Sequence, residues 1–393
     1  MVSFDHLSLA NESELRSMLE NSLYDWEFDA LRLSELTNGH PMSAFGHVVF
    51  EQYGLLSSLG IETARMHRFI SRVEAGYKNV PYHGSAHACC VTHAMVWFLS
   101  SENLNGVLAQ DEEMLAVVIS AMVHDLGHDG HSNLYHCNSN SPLAVRYAYQ
   151  SVLERHHLAT AFEIMSRNDS NILHSLSLEQ RRTVRDLVTK MVLATDFAAH
   201  SQILSDFQSV ISREIEVSPV GVTGATSVAA VSPNRGLMRP VGMASTPARV
   251  RTKATSDNPL FTSLPDFGLP TSVEGITGAA ARQQFHEERL LVLQIVLKVA
   301  DLSNISKGLK YYLAFTDRVL EEFHTQGDDE KRQGLPVTPD HDRERSNPAA
   351  SQLSFVRYVV NPLYAALDQL IPLELQLDHL LEVEQHWECF LKN

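Results

Sequence analysis

Helical spacing of apolar residues is the strongest constraint on what this chain can become. Val184, Leu187, Val188, Met191 and Val192 fall at i, i+3, i+4, i+7 and i+8, which lines one face of a helix. Met114, Leu115, Val117, Val118, Ile119, Met122 and Val123 predict a largely buried helix over Glu112 to Val123, with Asp111 placed to cap its start. Leu290 to Leu297 is interrupted by Gln294 and closed by Lys298, well short of the roughly 20 apolar residues that span a bilayer. That stretch reads as a buried core helix. No run alternates with period two, and through residues 1 to 210 Pro and Gly do not recur at the spacing of about 8–12 residues that all-β folds need. An all-α fold is expected.

With 393 residues, 44% of them hydrophobic and 20% charged, the chain can bury a large core. Its net charge of −16 repels phosphate backbones and anionic headgroups, so nucleic acid and membrane surfaces are poor partners. An anionic substrate would then need a bound metal to hold it. The four cysteines show no Cys-x-x-Cys and no regular spacing, and the N-terminus lacks a basic stretch followed by an apolar one. A reducing, cytoplasmic setting is expected, without export. Residues 217 to 279 hold seven of the 15 prolines and seven of the 19 glycines without either period. They read as an inserted flexible loop, either a solvated linker or a mildly basic segment that docks on the acidic body. The expected organisation is a leading helix or extension over residues 1 to 25, then one helical domain over 26 to 393 that carries this insert.

Nine of the 20 histidines lie between residues 83 and 157, where proportion alone would place roughly four. Imidazole as metal ligand and proton carrier explains such a concentration. In Tyr82-His83-Gly84-Ser85-Ala86-His87, two imidazoles stand at i and i+4, expected on one helix face. In His124-Asp125-Leu126-Gly127-His128-Asp129-Gly130-His131-Ser132-Asn133, an imidazole meets a carboxylate at the end of an apolar helix, where the glycines let the backbone turn. Asp301 in Lys298-Val299-Ala300-Asp301 emerges from a nearly continuous apolar helix and needs a partner, unless it simply ends that helix. His87, His124, Asp125 and Asp301 together make a mixed nitrogen and carboxylate set that suits Zn²⁺, with a harder ion sharing Asp125. Two such ions can hold a hydroxide between them and neutralise phosphoryl oxygens, which answers the charge problem.

The His-Asp-x-x-His-x-x-x-x-Asn pattern resembles the signature of class I 3′,5′-cyclic nucleotide phosphodiesterase catalytic domains, within the wider HD metal-hydrolase group. Tyr82-His83 with His87, Ser151 to His157, Val192 to Asp196, Ala300 to Asn304, Thr316 to Asp328 and Ser351 to Phe355 look like successive blocks in the family's order. The similarity runs from about Trp26 to the C-terminus, broken by the insert. The resemblance implies a compact multi-helix domain that opens the 3′ phosphoester of cAMP, with cGMP as a second substrate, to give the nucleoside 5′-monophosphate. It implies that His87, His124, Asp125 and Asp301 ligate Zn²⁺, with Asp125 bridging to Mg²⁺ or Mn²⁺. His83 would be the acid on the departing O3′, Glu322 its orienting partner, and His128 a contact to phosphate or bridging solvent. Glu154, His157, Thr195 and Asp196 would position metal-bound water. Gln352 and Phe355 would hold the base, with Tyr82, Asn304, Ile305 and Phe323 lining the pocket, and Asn304 matching the cAMP-preferring pattern. Regulatory domains or a dimer partner outside this chain would control it.

Two other readings stay open. Another HD-type phosphohydrolase would leave Gln352 without a role, and a silent cyclic-nucleotide-binding scaffold would lack an acid or a ligand. Phe323 and Phe355 met without context would read as core. Gly127, Asp129, His324 and Ser354 depart from the family's usual residues, and Ser354 lies beside the base clamp.

Overall fold

The computed structural model describes residues 9–104, 106–217 and 279–392. The helices of the first part are α1 (Leu9–Asn21), α2 (Ala30–Leu36), α3 (Pro41–Gln52), α4 (Leu55–Ser58), α5 (Thr63–Gly76), α6 (Ser85–Leu99) and α7 (Asp111–Val123). Then come α8 (Asn133–Asn138), α9 (Pro142–Arg146), α10 (Val152–Ser166), α11 (Leu178–Leu193) and α12 (His200–Val217). The last part holds α13 (Ala279–Asp301), α14 (Leu309–Gln333), α15 (Pro348–Phe355), α16 (Asn361–Asp368) and α17 (Glu374–Lys392). No strand occurs among the described residues, in line with the all-α expectation. The expected insert lies, over 218–278, outside the described residues; α12 and α13, which flank it, pack on each other.

The centre is built from the helices with the least polar sequences. Every residue of α7 from Met114 to Val123 is buried, and it packs against α11 and α6, while α6 packs against α13. Burying each Val, Leu or Ile contributes about 1.5–3 kcal/mol, which outweighs the few tenths that a β-branched side chain loses in a helix. That is why a segment so rich in Val and Ile stays helical. α11 is amphipathic by contrast, with Val184, Val188, Met191 and Val192 buried as its spacing predicts.

Two local expectations need correction. Asp111 is the first helical residue of α7, not its cap: Gln110 holds the cap position, and the Glu113 carboxylate accepts its backbone N–H at 3.2 Å. The cap is decided by which side chain reaches back to the free N–H groups. His83 is not on a helix face with His87, because α6 starts at Ser85 with extended Gly84 as its cap. His83 sits in the preceding turn.

At the other end, α15 widens after Phe355 into a π-helical turn over Val356–Val360 before α16. Pro362 lacks the N–H that an α-helical ladder would require there, so the backbone loosens just after Phe355. The segment before α2 is sewn to the segment after α13: Trp26 Nε1–H donates to the Ser306 carbonyl at 2.8 Å, and buried Lys307 donates to the carbonyl of Phe28 at 3.0 Å. These bonds anchor the 303–307 stretch that presents Asn304 and Ile305.

Candidate active site

Three chain ends converge on one point. His87 lies in the first turn of α6, His124 and Asp125 follow α7, and Asp301 is the last residue of α13. The chain can leave α7 sharply because Gly127 has φ +86°, and a Cβ there would stand 3.1 Å from His156 Nε2. Gly130, at φ +84°, lets the loop pass beside Glu322.

His87 Nε2 lies 3.2 Å from His124 Nε2, 3.4 Å from Asp125 Oδ2 and 3.1 Å from Asp301 Oδ1. His124 Nε2 lies 3.2 Å from Asp125 Oδ2 and 3.3 Å from Asp301 Oδ1. Four ligands placed about 2.0–2.1 Å around a central ion stand about 3.3 Å from one another, so the donor set has the right size. Its chemistry fits too. His124 Nδ1–H donates to the Ala121 carbonyl at 2.9 Å, which leaves Nε2 bare in the neutral ring. His87 Nδ1 is buried without a hydrogen-bond partner, so that ring's polar engagement is through Nε2 alone. Two imidazole nitrogens and two carboxylates therefore face each other, an arrangement that calls for a cation, either a proton or a metal ion. Burial would strip the proton from His124, yet the charges of Asp125 and Asp301 hold it well above the usual histidine value. Burial likewise opposes the Asp125 and Asp301 charges, but His124 keeps both carboxyls well below their ordinary range.

Beside the quartet stands His83, whose Nδ1 meets Glu322 Oε1. The second oxygen of Glu322 accepts from the backbone N–H of Tyr82 at 2.9 Å and of His83 at 3.2 Å, so α14 fixes the turn that carries the imidazole. Burial lowers the His83 pKa, but the Glu322 charge and hydrogen bond, with Asp125 and Asp301 behind them, raise it to about 9. The His83 ring stacks on His128 with centroids 4.0 Å apart. Burial and the His83 charge hold His128 well below the usual value, and its Nδ1 accepts from Gly130 N at 3.0 Å, leaving Nε2–H as its donor.

His157 Nδ1–H donates to the Leu126 carbonyl at 2.8 Å, so its bare Nε2 faces Asp125 Oδ1 at 3.7 Å, and burial pulls its pKa to about 4. Burial pushes the Glu154 carboxyl up to about 7 although Asn133 bonds both of its oxygens, at 3.1 and 3.0 Å. Thr195 donates its hydroxyl to the Val192 carbonyl, and Asp196 accepts from Ser151 Oγ at 2.8 Å.

All of these groups except Ser151 and the buried His87 and His124, which stand against Asp125 and Asp301, line one cavity of about 620 Å³. It is also lined by Tyr82, Asn304, Ile305, Phe323, Gln352 and Phe355, so every predicted site residue lies in or against a single space. There, Trp387 Nε1–H donates to the Tyr312 oxygen at 2.7 Å, and the Tyr312 hydroxyl donates to Gln352 Oε1 at 3.0 Å. Tyr82 OH donates to Asn304 Oδ1 at 3.2 Å. Both carbonyls are engaged, which turns both NH₂ groups outward as donors. Phe323 stacks on His341 with centroids 4.5 Å apart, so one of its faces is already covered.

Sequence reading gave no role to Asn133, Ser151, Tyr312 or Trp387. Asn133 was legible as the last residue of the His-Asp motif and Ser151 as the start of a motif block. Tyr312 and Trp387 carry no local signal, because they act across helices.

Residues 82–380 match the family model for 3′5′-cyclic nucleotide phosphodiesterase. The chain belongs to that family. This phosphodiesterase-family chain is 29% identical over 373 residues to the human high affinity cAMP-specific and IBMX-insensitive 3′,5′-cyclic phosphodiesterase 8A, covering 94% of this chain and 39% of the relative. It is also 29% identical over 378 residues to the rat 3′,5′-cyclic-AMP phosphodiesterase 4C, covering 96% of this chain and 59% of the relative. The chain thus spans less than two thirds of the length of these curated relatives. The crystal structure of the phosphodiesterase domain of the RhoPDE fusion protein from the choanoflagellate Salpingoeca rosetta superposes with a TM-score of 0.71 at 25% identity, covering 95% of this chain and 97% of that one. The family uses divalent metal ions, and the His87, His124, Asp125 and Asp301 cluster suits one. No described helix is long and apolar enough to cross a membrane.

Proposed function

We propose that the chain hydrolyses the 3′ phosphoester of 3′,5′-cyclic nucleotides, cAMP in preference to cGMP, to nucleoside 5′-monophosphates. The convergence of His87, His124, Asp125 and Asp301 beside the His83–Glu322 pair, in a cavity that Gln352 also lines, carries this reading. His87, His124, Asp125 and Asp301 would hold Zn²⁺, and Asp125 would share a Mg²⁺ or Mn²⁺ on the side lined by Glu154, His157, Thr195 and Asp196. When bound, such ions supply charge neutralisation to phosphoryl oxygens and acidify water.

The protein's own groups then have distinct tasks. Water adds to phosphorus and gives up one proton to solvent, the P–O3′ bond breaks, and the departing O3′ takes a proton from His83 Nε2, which solvent reloads and the Glu322 charge keeps loaded at neutral pH. His128 Nε2–H is placed to donate to a phosphoryl oxygen or to bridging solvent. His157, with Nδ1 committed to a carbonyl, offers Nε2 as an acceptor that orients water near Asp125. Glu154 and Asp196, held by Asn133 and Ser151, do the same on the outer side.

The preference for cAMP is supported by the two outward NH₂ groups. Adenine presents acceptors at N1 and N7 on either side of its amino group, matching the donors of Gln352 and Asn304, with the free lone pair of Gln352 Oε1 for the amino hydrogen. Guanine would set its N1–H against an NH₂. Phe355 and Ile305 offer flat and aliphatic surface to the ring. The four free cysteines support a reducing, cytoplasmic setting, and control by regions or a second copy outside this chain belongs to the same reading.

Incubation of purified protein with cAMP and Mg²⁺ should yield 5′-AMP, with faster turnover than for cGMP at equal concentration. Absence of product would overturn the proposal in favour of a silent binding scaffold. Full activity of a Gln352→Ala variant would point to another HD-type phosphohydrolase.

A further inference from the structure

On the face formed by α3 and α5 lie two imidazoles that the site above does not use. His47 Nε2 points at His67 Nδ1, and the ring centroids are 4.1 Å apart with planes at 39°. Both side chains are half-buried, and neither lines the active-site cavity. His47 Nδ1–H donates to the Ser43 carbonyl one helical turn back, at 2.5 Å. A carbonyl can only accept, so this bond fixes the tautomer and leaves His47 Nε2 with a bare lone pair. Backbone-carbonyl anchoring of the distal ring nitrogen is the outer support that metal-binding histidines typically show. Glu51 follows His47 by one turn of α3, and its charge acts on the His67 ring.

The two helices are already tied together. Buried Glu74 of α5 accepts from Met42 N at 2.8 Å, Ser43 N at 3.2 Å and Ser43 Oγ at 2.5 Å at the start of α3. The imidazoles are therefore held side by side by the scaffold, nitrogen towards nitrogen, and little ordering entropy remains to be lost when a ligand bridges them. Burial and the neighbouring His47 both lower the His67 pKa, so the His67 ring is uncharged near neutral pH and able to ligate.

We infer that His47 Nε2 and His67 Nδ1, with water completing the coordination, form a surface site for a divalent transition-metal ion of the zinc class. On binding, the single proton of the His67 ring shifts from Nδ1 to Nε2, and the ion takes its place between the two nitrogens, clamping α3 to α5. Two imidazole nitrogens suit Zn²⁺, Ni²⁺ or Cu²⁺ and not Mg²⁺, which separates this site from a harder cation in the active site.

The test is metal content. Wild-type protein, His47→Ala and His67→Ala are dialysed against micromolar Zn²⁺ with excess Mg²⁺, and zinc per chain is measured by plasma mass spectrometry. Wild type should retain one zinc per chain more than either variant, while turnover of cyclic nucleotide is unchanged among the three. Equal zinc content would overturn the inference and leave the pair as a simple N–H···N contact. Because a variant can also lose structure, Zn²⁺-dependent melting of the Mg²⁺-saturated proteins is read in parallel: Zn²⁺ should raise the Tm of wild type and not of variants whose unliganded Tm matches it. A shift common to all three would refute the site. Zinc content does not depend on catalysis, so its outcome is independent of the proposed activity.

Discussion

Replacing Glu322 by Gln is the sharpest probe of the proposed acid. The change keeps size and one acceptor oxygen, which can still serve the backbone N–H groups of Tyr82 and His83. The other position then presents an NH₂ to His83 Nδ1, which can face it only unprotonated. Burial lowers the His83 pKa, and Glu322 is the largest influence raising it to about 9. Without that charge the value should return to 6.5 or below, a loss of about 3.4 kcal/mol of preference for the charged ring. At about pH 7.5 the protonated fraction falls from nearly all to roughly one tenth, and at about pH 6 it recovers to roughly three quarters. Bound cations act on both proteins alike, so the contrast survives metal loading. The assay is kcat against pH at saturating cAMP and Mg²⁺. Wild type should be flat over this range and decline only towards pH 9, whereas Glu322→Gln should gain about eightfold on going from pH 7.5 to pH 6. Parallel profiles would refute the assignment of His83 as a proton donor charged by Glu322. The same linkage bears on stability: the folded-state pKa lies above the ordinary one, so the contribution is complete below about pH 6.5 and is lost as pH rises through about 9.

His83→Ala should cut turnover by at least about a hundredfold with bound metal unchanged, while Asp301→Asn should lower metal content itself; full activity in both would discard the site. Tyr312→Phe removes the hydroxyl that fixes the Gln352 carbonyl, so the cAMP-over-cGMP ratio of kcat/KM should shrink by about fivefold, the equivalent of one hydrogen bond. An unchanged ratio would show that the amide is oriented by something else. Gly327→Ala would place a Cβ 2.0 Å from the His341 carbonyl oxygen. Since backbone must move, urea denaturation should report a loss of at least about 3 kcal/mol, and a wild-type midpoint would contradict the packing of α14 on the 338–342 segment.

The linear order of residues determined most of the helices and the type of chemistry. Periodic apolar positions in α7, α11 and α13 can be satisfied only by helices that bury those faces, and that preference is local. The same holds for the kind of donors supplied, since imidazoles and carboxylates were crowded into a few short motifs. Tertiary structure decided which of them meet. His83 and His87 stand four apart, yet only His87 is helical, because Gly84 ends the extended turn and Glu322, from α14, pulls His83 aside. The cap of α7 passed from Asp111 to Gln110 because a side chain's reach, not its chemical class, closes a helix end. Tyr312, Trp387 and Gln352 form one relay from three helices, and His47 meets His67 across two. Spacing along a chain constrains neighbours within a turn or two, whereas contacts between remote side chains depend on how helices cross, and that is set by the packing of the whole core.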